Sequence, residues 1–259
     1  MIDCHTHLEQ EDFNPDRDEV IRRCKEAELR AVVTCCAHPN DLSVTKDMIE
    51  KYPSFIYATA SIHPEYVGEV SDKWKRRILQ FLEDPRVVGV GETGLDFKEA
   101  ETDDLRRKQE DLFIEFIEAA KKLGKPLIIH ARKAFKEAVD VLESQGARNV
   151  IMHFFSSREQ LRRVVDNDWY ITVNTTVCKS KKIRKIARDT PVKRILLETD
   201  APWLDLEGGR NEPIAIKKVS EKIAEVKGLT SEEIWHQCGR NAVEIFKLPI
   251  NIEREHTLF

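Results

Sequence analysis

The chain has 259 residues, of which 41% are hydrophobic and 34% charged, a composition typical of one large folded domain. Apolar residues recur throughout, and only ten glycines and ten prolines are present, which argues against a long disordered tail. The longest apolar runs are a few residues and exclude a transmembrane helix, so no membrane partner is expected. With 42 Lys and Arg against 46 Asp and Glu, the net charge of −4 argues against polyanion binding through overall charge but allows a local basic patch.

The cysteines and the amino terminus predict a cytoplasmic protein. Met1 to His5 lack the basic and apolar regions of a signal peptide. No C-x-x-C pair is present, and six thiols in a chain of this length do not indicate a disulfide framework. The cysteines are Cys4, Cys24, Cys35, Cys36, Cys178 and Cys238.

Eight short apolar segments, rich in β-branched residues, are predicted to be strands. They are spaced by roughly 20–40 residues, which is the length of a βα unit. The predicted strands are Met1–Cys4, Ala31–Cys36, Phe55–Ile62, Val87–Val90, Pro126–His130, Asn149–His153, Trp169–Val173 and Arg194–Glu198.

The segments between these strands have helical periodicity. Glu137–Leu142 and Ile214–Val226 are predicted helices, and in a third helix one face is lined by Leu105, Leu112, Phe113, Phe116, Ile117, Ala120 and Leu123. Thr230 with Glu233 resembles a capping box, which predicts an extra helix over Ser231–Cys238 and Asn241–Phe246 before a tail that ends at residue 259.

Alternating strands and helices indicate an α/β protein with parallel strands and right-handed crossovers. Eight units predict a (β/α)8 TIM barrel over residues 1–259 as a single domain, with 230–259 as the extra helix and tail. The alternative is an open doubly wound sheet. Gly89 to Gly94 match the bare G-x-G-x-x-G pattern, but they follow the fourth strand and lack the ribose-binding acid expected downstream, which disfavours a dinucleotide site.

Side chains with metal-binding chemistry follow five of the predicted strands. His5 and His7 share a side of the first strand with Asp3. The other four are Glu92, His130, His153 and Asp200. Each alone is compatible with a packed histidine or a loop carboxylate. Together they meet at the carboxyl ends of barrel strands, where barrel enzymes place their active sites, and imidazole with carboxylate suits Zn²⁺, Mn²⁺ and related ions.

The motifs around these residues resemble those of the TatD family of metal-dependent DNases, within the amidohydrolase-like barrel group. They cover most of the chain in the family order. They are I-D-C-H-T-H-L at the start, S-I-H-P-E (61–65), G-E-T-G-L-D (91–96), Gln109 with Phe113, P-L-I-I-H-A-R (126–132), M-H-F-F-S (152–156), E-T-D-A-P-W-L (198–204) and R-N-E-P (210–213). Phe97 and Trp203 depart from the family, which often has tyrosine at these positions.

The resemblance implies two divalent ions per subunit: Mg²⁺, Mn²⁺, Zn²⁺, Co²⁺ or Ni²⁺. One ion is expected at His5, His7, Glu92 and Asp200, and the second at Glu92, His130 and His153, with Glu92 bridging. His63 and Arg210 match family positions near the substrate phosphate. Asp3 and Cys4 are expected to support the ligands.

We therefore expect hydrolysis of DNA ends or short single-stranded DNA in the 3′-to-5′ direction, by a water that two ions activate. Glu92 and Asp200 are the expected catalytic residues. Asp200 acts either as the general base or as a ligand only. Arg132 either pairs with phosphate or is a surface arginine, and Trp203 either stacks on a terminal base or packs the loop.

Three alternatives stay open. The same site would suit a small phosphoester, ester or amide, as the acidic balance of the chain allows. A barrel that binds metal without turnover would also fit, although the complete ligand set speaks against it. A basic stretch from Lys179 to Arg188 either attracts a nucleic-acid backbone or is an ordinary solvated helix face. No protein partner is implied.

Overall fold

A computed structural model describes residues 1–251. Its strands are β1 (Ile2–Thr6), β2 (Ala31–Cys36), β3 (Ile56–Ala60), β4 (Val87–Asp96), β5 (Leu127–Arg132), β6 (Val150–Met152), β7 (Tyr170–Val173) and β8 (Ile195–Leu197). Its α-helices are α1 (Arg17–Glu26), α2 (Leu42–Lys51), α3 (Asp72–Phe81), α4 (Asp103–Leu123), α5 (Phe135–Ser144), α6 (Leu161–Asp166), α7 (Lys181–Asp189), α8 (Ile216–Lys227) and α9 (Ser231–Phe246).

The eight strands form one parallel sheet in chain order from β1 to β8, and each is followed by a helix. The two edges of this sheet, β1 and β8, are joined by hydrogen bonds near the carboxyl ends of these strands. The Asp200 N–H donates to the His5 carbonyl at 3.0 Å, and the His7 N–H donates to the Ala201 carbonyl at 2.7 Å. The Asp3 carboxylate strengthens this junction by accepting the Thr199 N–H at 3.0 Å. The predicted (β/α)8 TIM barrel is therefore confirmed.

Each predicted strand is present, and the largest difference lies in β4. This strand continues through Glu92 to Asp96, whereas the apolar pattern predicted an end at Val90. The glycines of this segment explain the extension. A Cβ on Gly94, whose φ is +139°, would lie 2.1 Å from the His130 carbonyl oxygen, so glycine permits β4 and β5 to pair closely here.

The helices bury the apolar faces that the sequence predicted. In α4 the buried residues include Leu112, Phe113, Phe116 and Ile117, while Leu105 and Leu123 lie at its partly exposed ends. None of the helices in residues 1–251 is both long and apolar enough to cross a bilayer.

The carboxy-terminal helix α9 closes the amino-terminal end of the barrel. The predicted capping box is confirmed, because the Thr230 hydroxyl accepts the Glu233 N–H and the Glu233 carboxylate accepts the Thr230 N–H. Ala242, Ile245 and Phe246 pack against interior strand residues such as Ile128 and Leu196. The two predicted pieces are thus one helix, and the predicted tail from residue 252 onwards lies outside the described residues.

Candidate metal centre

Six side chains from five parts of the chain meet at the carboxyl ends of the strands. His5, His7, Glu92, His153 and Asp200 are buried, and His130 is partly buried. All but His5 line a cavity of about 510 Å³ that opens at this face of the barrel. The structure therefore brings together the six residues predicted as ligands, although their ligand role stays a prediction.

Glu92 lies at the centre of the group, and its two carboxylate oxygens face different histidines. Oε2 lies 3.4 Å from His5 Nε2 and 3.6 Å from His7 Nε2. Oε1 lies 2.6 Å from His130 Nδ1 and 3.6 Å from His153 Nε2. This arrangement has the form expected of a carboxylate that bridges two cations.

Asp200 completes the His5 and His7 side of the group. Its Oδ1 lies 3.6 Å from His5 Nε2 and 3.8 Å from His7 Nε2, and 3.9 Å from His153 Nε2. The backbone of Asp200 is left-handed, with φ of +58°, a conformation that is uncommon outside glycine. The hydrogen bond to the His5 carbonyl holds Asp200 there, which directs its carboxylate into the cavity.

Irregular strand pairing positions two of the other predicted ligands. Between Val90 and Thr93, β4 has one more residue than the segment of β5 that it pairs with, and Glu92 lies in this irregularity. The same holds for β1 between Asp3 and Thr6, which contains His5. Such bulges re-aim side chains that regular alternation would direct elsewhere.

Three further carboxylates contact the outer nitrogens of the histidines. Glu9 Oε1 lies 2.8 Å from His7 Nδ1. Asp96 Oδ2 lies 2.8 Å from His130 Nε2. Glu198 Oε2 lies 2.8 Å from His153 Nδ1. These contacts fix the orientation and tautomer of each ring.

The positions of these carboxylates are themselves held by neutral donors. The Thr34 hydroxyl donates to Glu9 Oε2 at 2.6 Å, and the Asn174 amide donates to Glu198 Oε1 at 3.1 Å. Asp96 accepts the Lys98 N–H at 2.9 Å. The ring orientation of three histidines therefore depends on hydrogen bonds that reach into the barrel wall.

The role of Glu9, Asp96 and Glu198 was not predicted from the sequence. Asp3 was expected to support the ligands, and it contacts the backbone of one of them: it accepts the His5 N–H at 3.3 Å, together with the backbone N–H and the hydroxyl of Thr199. One signal in the sequence could have indicated this role, namely proximity to the predicted ligands: Glu9 is two residues after His7, and Glu198 is two residues before Asp200.

One observation of this structure shows that the donor atoms of this site suit cations. If the outer nitrogens of His7, His130 and His153 donate to carboxylates, their inner nitrogens carry lone pairs. The inner nitrogen of His130 then meets a Glu92 oxygen at 2.6 Å, lone pair against carboxylate, a contact that becomes favourable when both atoms share a proton or bind the same cation. Moreover, His5 Nε2 lies 3.1 Å from His7 Nε2, and buried His5 Nδ1 has no hydrogen-bond partner within residues 1–251.

The electrostatics of the buried groups show the same demand for positive charge. Burial opposes protonation of His153, yet the carboxylates of Glu198 and Glu92 raise its pKa to about 10. Burial likewise opposes protonation of His63, whereas Glu92 and Glu65 raise its pKa to about 9. Burial raises the pKa of Asp200 above its ordinary value, against the influence of His153. These shifts place negative charge around His153 and His63, whereas burial lowers the pKa of His5 to about 4.

Two additional groups lie close to the predicted ligands. His63 was predicted to contact substrate, and its Nε2 lies 3.6 Å from Glu92 Oε1, beside His130. Cys35 was given no role, and its buried thiol accepts the Glu92 N–H at 3.1 Å. Burial and Glu92 raise the pKa of Cys35 well above its usual range, which favours the neutral thiol, and the hydrogen bond to this sulfur helps to hold Glu92 in place.

The predicted substrate residues occupy different places. His63, Arg132 and Trp203 line the cavity. Trp203 is 48% exposed, and its ring lies edge-on to His7 at 4.7 Å. Arg210 is directed elsewhere: its guanidinium donates to both oxygens of Asp16 at 2.6 and 2.7 Å. The substrate role of Arg210 stays a prediction, and in the structure Asp16 is the partner of its guanidinium.

A barrel whose strand ends gather four histidines around two carboxylates defines a metal-dependent hydrolase. Residues 2–247 match the family described as TatD related DNase, and the chain belongs to this family.

Individual relatives cover nearly the whole chain. It is 31% identical to the human protein named deoxyribonuclease TATDN3, over 95% of this chain and 94% of that one. It is 28% identical to the 3′-5′ ssDNA/RNA exonuclease TatD of Erwinia billingiae, over 96% and 100%. Among solved structures, YJJV, a TATD homologue of Escherichia coli, superimposes with a TM-score of 0.88 at 27% identity and covers 96% of this chain and 98% of that one.

Proposed function

We propose that this protein hydrolyses phosphodiester bonds at the end of single-stranded DNA with two divalent ions. The observation that carries the proposal is the position of Glu92, with one oxygen facing His5 and His7 and the other facing His130 and His153. The names of relatives, which include a deoxyribonuclease and a single-stranded DNA and RNA exonuclease, support the substrate class.

The residues that would hold the ions fall into two groups. His5, His7 and Asp200 would hold one ion, and His130 with His153 the other, with Glu92 shared. When bound, two ions supply a hydroxide near neutral pH and neutralise the charge that develops on the phosphoryl oxygens. Nitrogen and oxygen donors of this kind suit Mn²⁺, Zn²⁺, Co²⁺, Ni²⁺ or Mg²⁺.

The protein's own residues would orient the reactants and move the proton. Glu9, Asp96 and Glu198 keep the inner nitrogens of three imidazoles directed at the cavity. Asp200 Oδ1 borders the cavity within 4 Å of the His5, His7 and His153 rings, so it would accept the proton of an attacking water.

The cavity wall offers contacts for a DNA end. Arg132 and Lys133 come from the end of β5 and line the cavity beside His63, which makes them suitable partners for a phosphate. On the other side, exposed Trp203 presents an indole ring on which a terminal base can stack. Together these residues place a phosphate over the candidate metal centre and a base outside it.

A small phosphoester is the second candidate substrate, because one specific observation favours it. Acidic residues, including Asp41 and Glu65, also line the cavity and would repel a long polyanion that approached from their side.

All six cysteines are unbridged thiols, which supports a reducing compartment such as the cytoplasm.

The direct test compares the protein with Glu92→Gln and His130→Ala variants on a 20-nucleotide single strand and on small phosphoesters, in Mn²⁺ or Mg²⁺. The proposal predicts that both variants lose at least about 100-fold in kcat on DNA while unfolding at temperatures near that of the parent. Turnover of small esters without nuclease activity would favour the second candidate. Undiminished DNA cleavage by folded variants would reject the site.

A further inference from the structure

The rim of the barrel around the cavity is acidic except on the side of β5, β6 and β7. The loops that follow β1 to β4 contain nine carboxylates and one cation, Lys98. The loops that follow β5, β6 and β7 contain three cations, Lys133, Arg158 and Lys179, and one carboxylate, Glu159, and Arg132 and Lys181 border them at the end of β5 and the start of α7. The loop that follows β8 contains five carboxylates and one cation, Arg210. A polyanion whose end lies in the cavity is therefore guided out over the β5–β7 side.

The start of α7 lies between two cavity-lining loops. Phe154 and Ser156 line the cavity from the loop after β6, and Trp203 lines it from the loop after β8. The segment that leads into α7 is tied to the second of these loops, because the Thr175 hydroxyl donates to the Leu204 carbonyl at 2.5 Å and the Lys179 ammonium donates to the Leu206 carbonyl. A single strand of DNA that leaves the cavity between Phe154 and Trp203 therefore meets the start of α7.

From this rim a line of cations continues along α7. Lys181, Arg184, Lys185 and Arg188, here called the basic stripe, border a shallow groove of about 400 Å³ together with Val226 of α8. The stripe follows one helix face at spacings of three and four residues and extends about 10 Å along the helix axis. Lys181, Lys185 and Arg188 are exposed.

The stripe differs from an ordinary solvated helix face. Other helices pair their cations internally, as α4 does with Lys108 and Asp104 at 2.8 Å and α1 does with Arg22 and Glu26. Between Lys181 and Arg188 the helix has five cations and no carboxylate. Lys181 and Lys185 make no ion pair within residues 1–251, whereas Arg188 pairs with Asp189 at 3.0 Å and Glu159 faces Lys182.

The position of Lys181 also argues against a purely stabilising role. It occupies the first turn of α7, which contains no acidic residue. A cation near a helix amino terminus opposes the helix dipole and is unfavourable there. A bound phosphate would reverse this cost, because it places negative charge where both the dipole and the lysine favour it.

We propose that the basic stripe binds the phosphate backbone of a single-stranded DNA whose end occupies the cavity. The proposal rests on the DNA substrate proposed above and adds the path of the strand, from the candidate metal centre between Phe154 and Trp203 and down α7. It follows that strands long enough to reach α7 bind more tightly than short oligonucleotides, and that this advantage decreases with salt.

The test uses a Lys181→Glu/Lys185→Glu variant and a matched Lys121→Glu/Lys122→Glu variant at the carboxyl end of α4, on the opposite face of the barrel. Fluorescence anisotropy with labelled dT20 and dT4 in EDTA gives affinity without cleavage. Cleavage of both oligonucleotides with Mn²⁺ gives KM and kcat. Both readouts are recorded between 50 and 200 mM NaCl.

We expect the α7 variant to bind dT20 about tenfold more weakly at 50 mM salt and its salt slope to decrease by about 1.4, since two phosphate contacts are lost. Its KM for dT20 rises while kcat and the values for dT4 stay unchanged, and the α4 variant resembles the parent. Equal dT20 affinity and salt slope in the two variants would overturn the proposal. If the parent cleaves neither oligonucleotide, the proposed function is wrong, and the anisotropy data still decide whether the stripe binds DNA.

Discussion

His130 Nε2 lies 2.8 Å from Asp96 Oδ2, on the side of the ring that faces away from Glu92. The Asp96 carboxylate therefore requires a proton on Nε2 and leaves the lone pair of Nδ1 directed at the candidate metal centre. Replacing this acceptor with a donor of equal size would reverse the tautomer.

Asp96→Asn is expected to weaken metal binding by about 10- to 100-fold, because the new amide donates to Nε2 and places a proton on the ligand nitrogen. The asparagine oxygen can still accept the backbone N–H groups of Lys98 and Glu99, so the fold should be retained. Isothermal titration with Mn²⁺ measures the change. Glu99→Gln at the exposed rim is the control, and unaltered affinity in Asp96→Asn would contradict this role.

Gly94→Ala is expected to destabilise the protein by about 3 kcal/mol or more, because the added Cβ meets the His130 carbonyl oxygen at 2.1 Å and φ is +139°. The displacement of β5 would move His130 as well, so metal affinity should decrease together with stability. Gly68→Ala is the matched control, since no atom lies within 4 Å of its added Cβ. Urea unfolding of both variants measures the difference, and equal stability would refute the close β4–β5 approach.

Arg210→Met is expected to lower the free energy of unfolding by about 1 kcal/mol at pH 7 and to leave KM for DNA within about twofold. The Arg210 guanidinium holds the pKa of Asp16 below its usual range. A carboxyl with a depressed folded-state pKa stabilises the fold above its unfolded-state pKa and loses this contribution as pH falls. The stability difference between parent and variant should therefore shrink below about pH 4. A large rise in KM without loss of stability would show that Arg210 contacts substrate.

Trp203→Ala is expected to raise KM for single-stranded DNA by about 5- to 100-fold with a smaller effect on kcat, because stacking of one base contributes about 1–3 kcal/mol. The indole is 48% exposed, so its removal leaves no internal cavity. Trp203→Phe keeps a smaller stacking surface and should give an intermediate KM. An unchanged KM in both variants would mean that Trp203 packs the loop and does not bind a base.

The order and position of the strands were predictable because apolar β-branched segments and helical periodicity alternate so regularly along this chain. The prediction Ala31–Cys36 matches β2 at both ends. The end of β4 was not predictable from periodicity, because Gly91 and Gly94 break the apolar pattern while allowing the strand to continue beside β5. Strand length there depends on a tertiary contact.

The convergence of the six predicted ligands was predictable because the carboxyl ends of barrel strands meet in space, so histidines and carboxylates at those ends lie close together. The groups that orient the ligands were not predictable in the same way. Glu9 and Glu198 reach their histidines only because Thr34 and Asn174 on neighbouring strands fix the carboxylates. The contact that Arg210 makes was not predictable either. Its motif places it near a substrate phosphate, a role that stays a prediction, whereas in the structure its guanidinium donates to Asp16.

The central claim, that two cations share Glu92, is tested most directly by anomalous diffraction from crystals grown with Mn²⁺. We predict two anomalous peaks on either side of the Glu92 carboxylate, one beside His5 and His7 and the other beside His130 and His153. A single peak, or peaks distant from Glu92, would contradict this account.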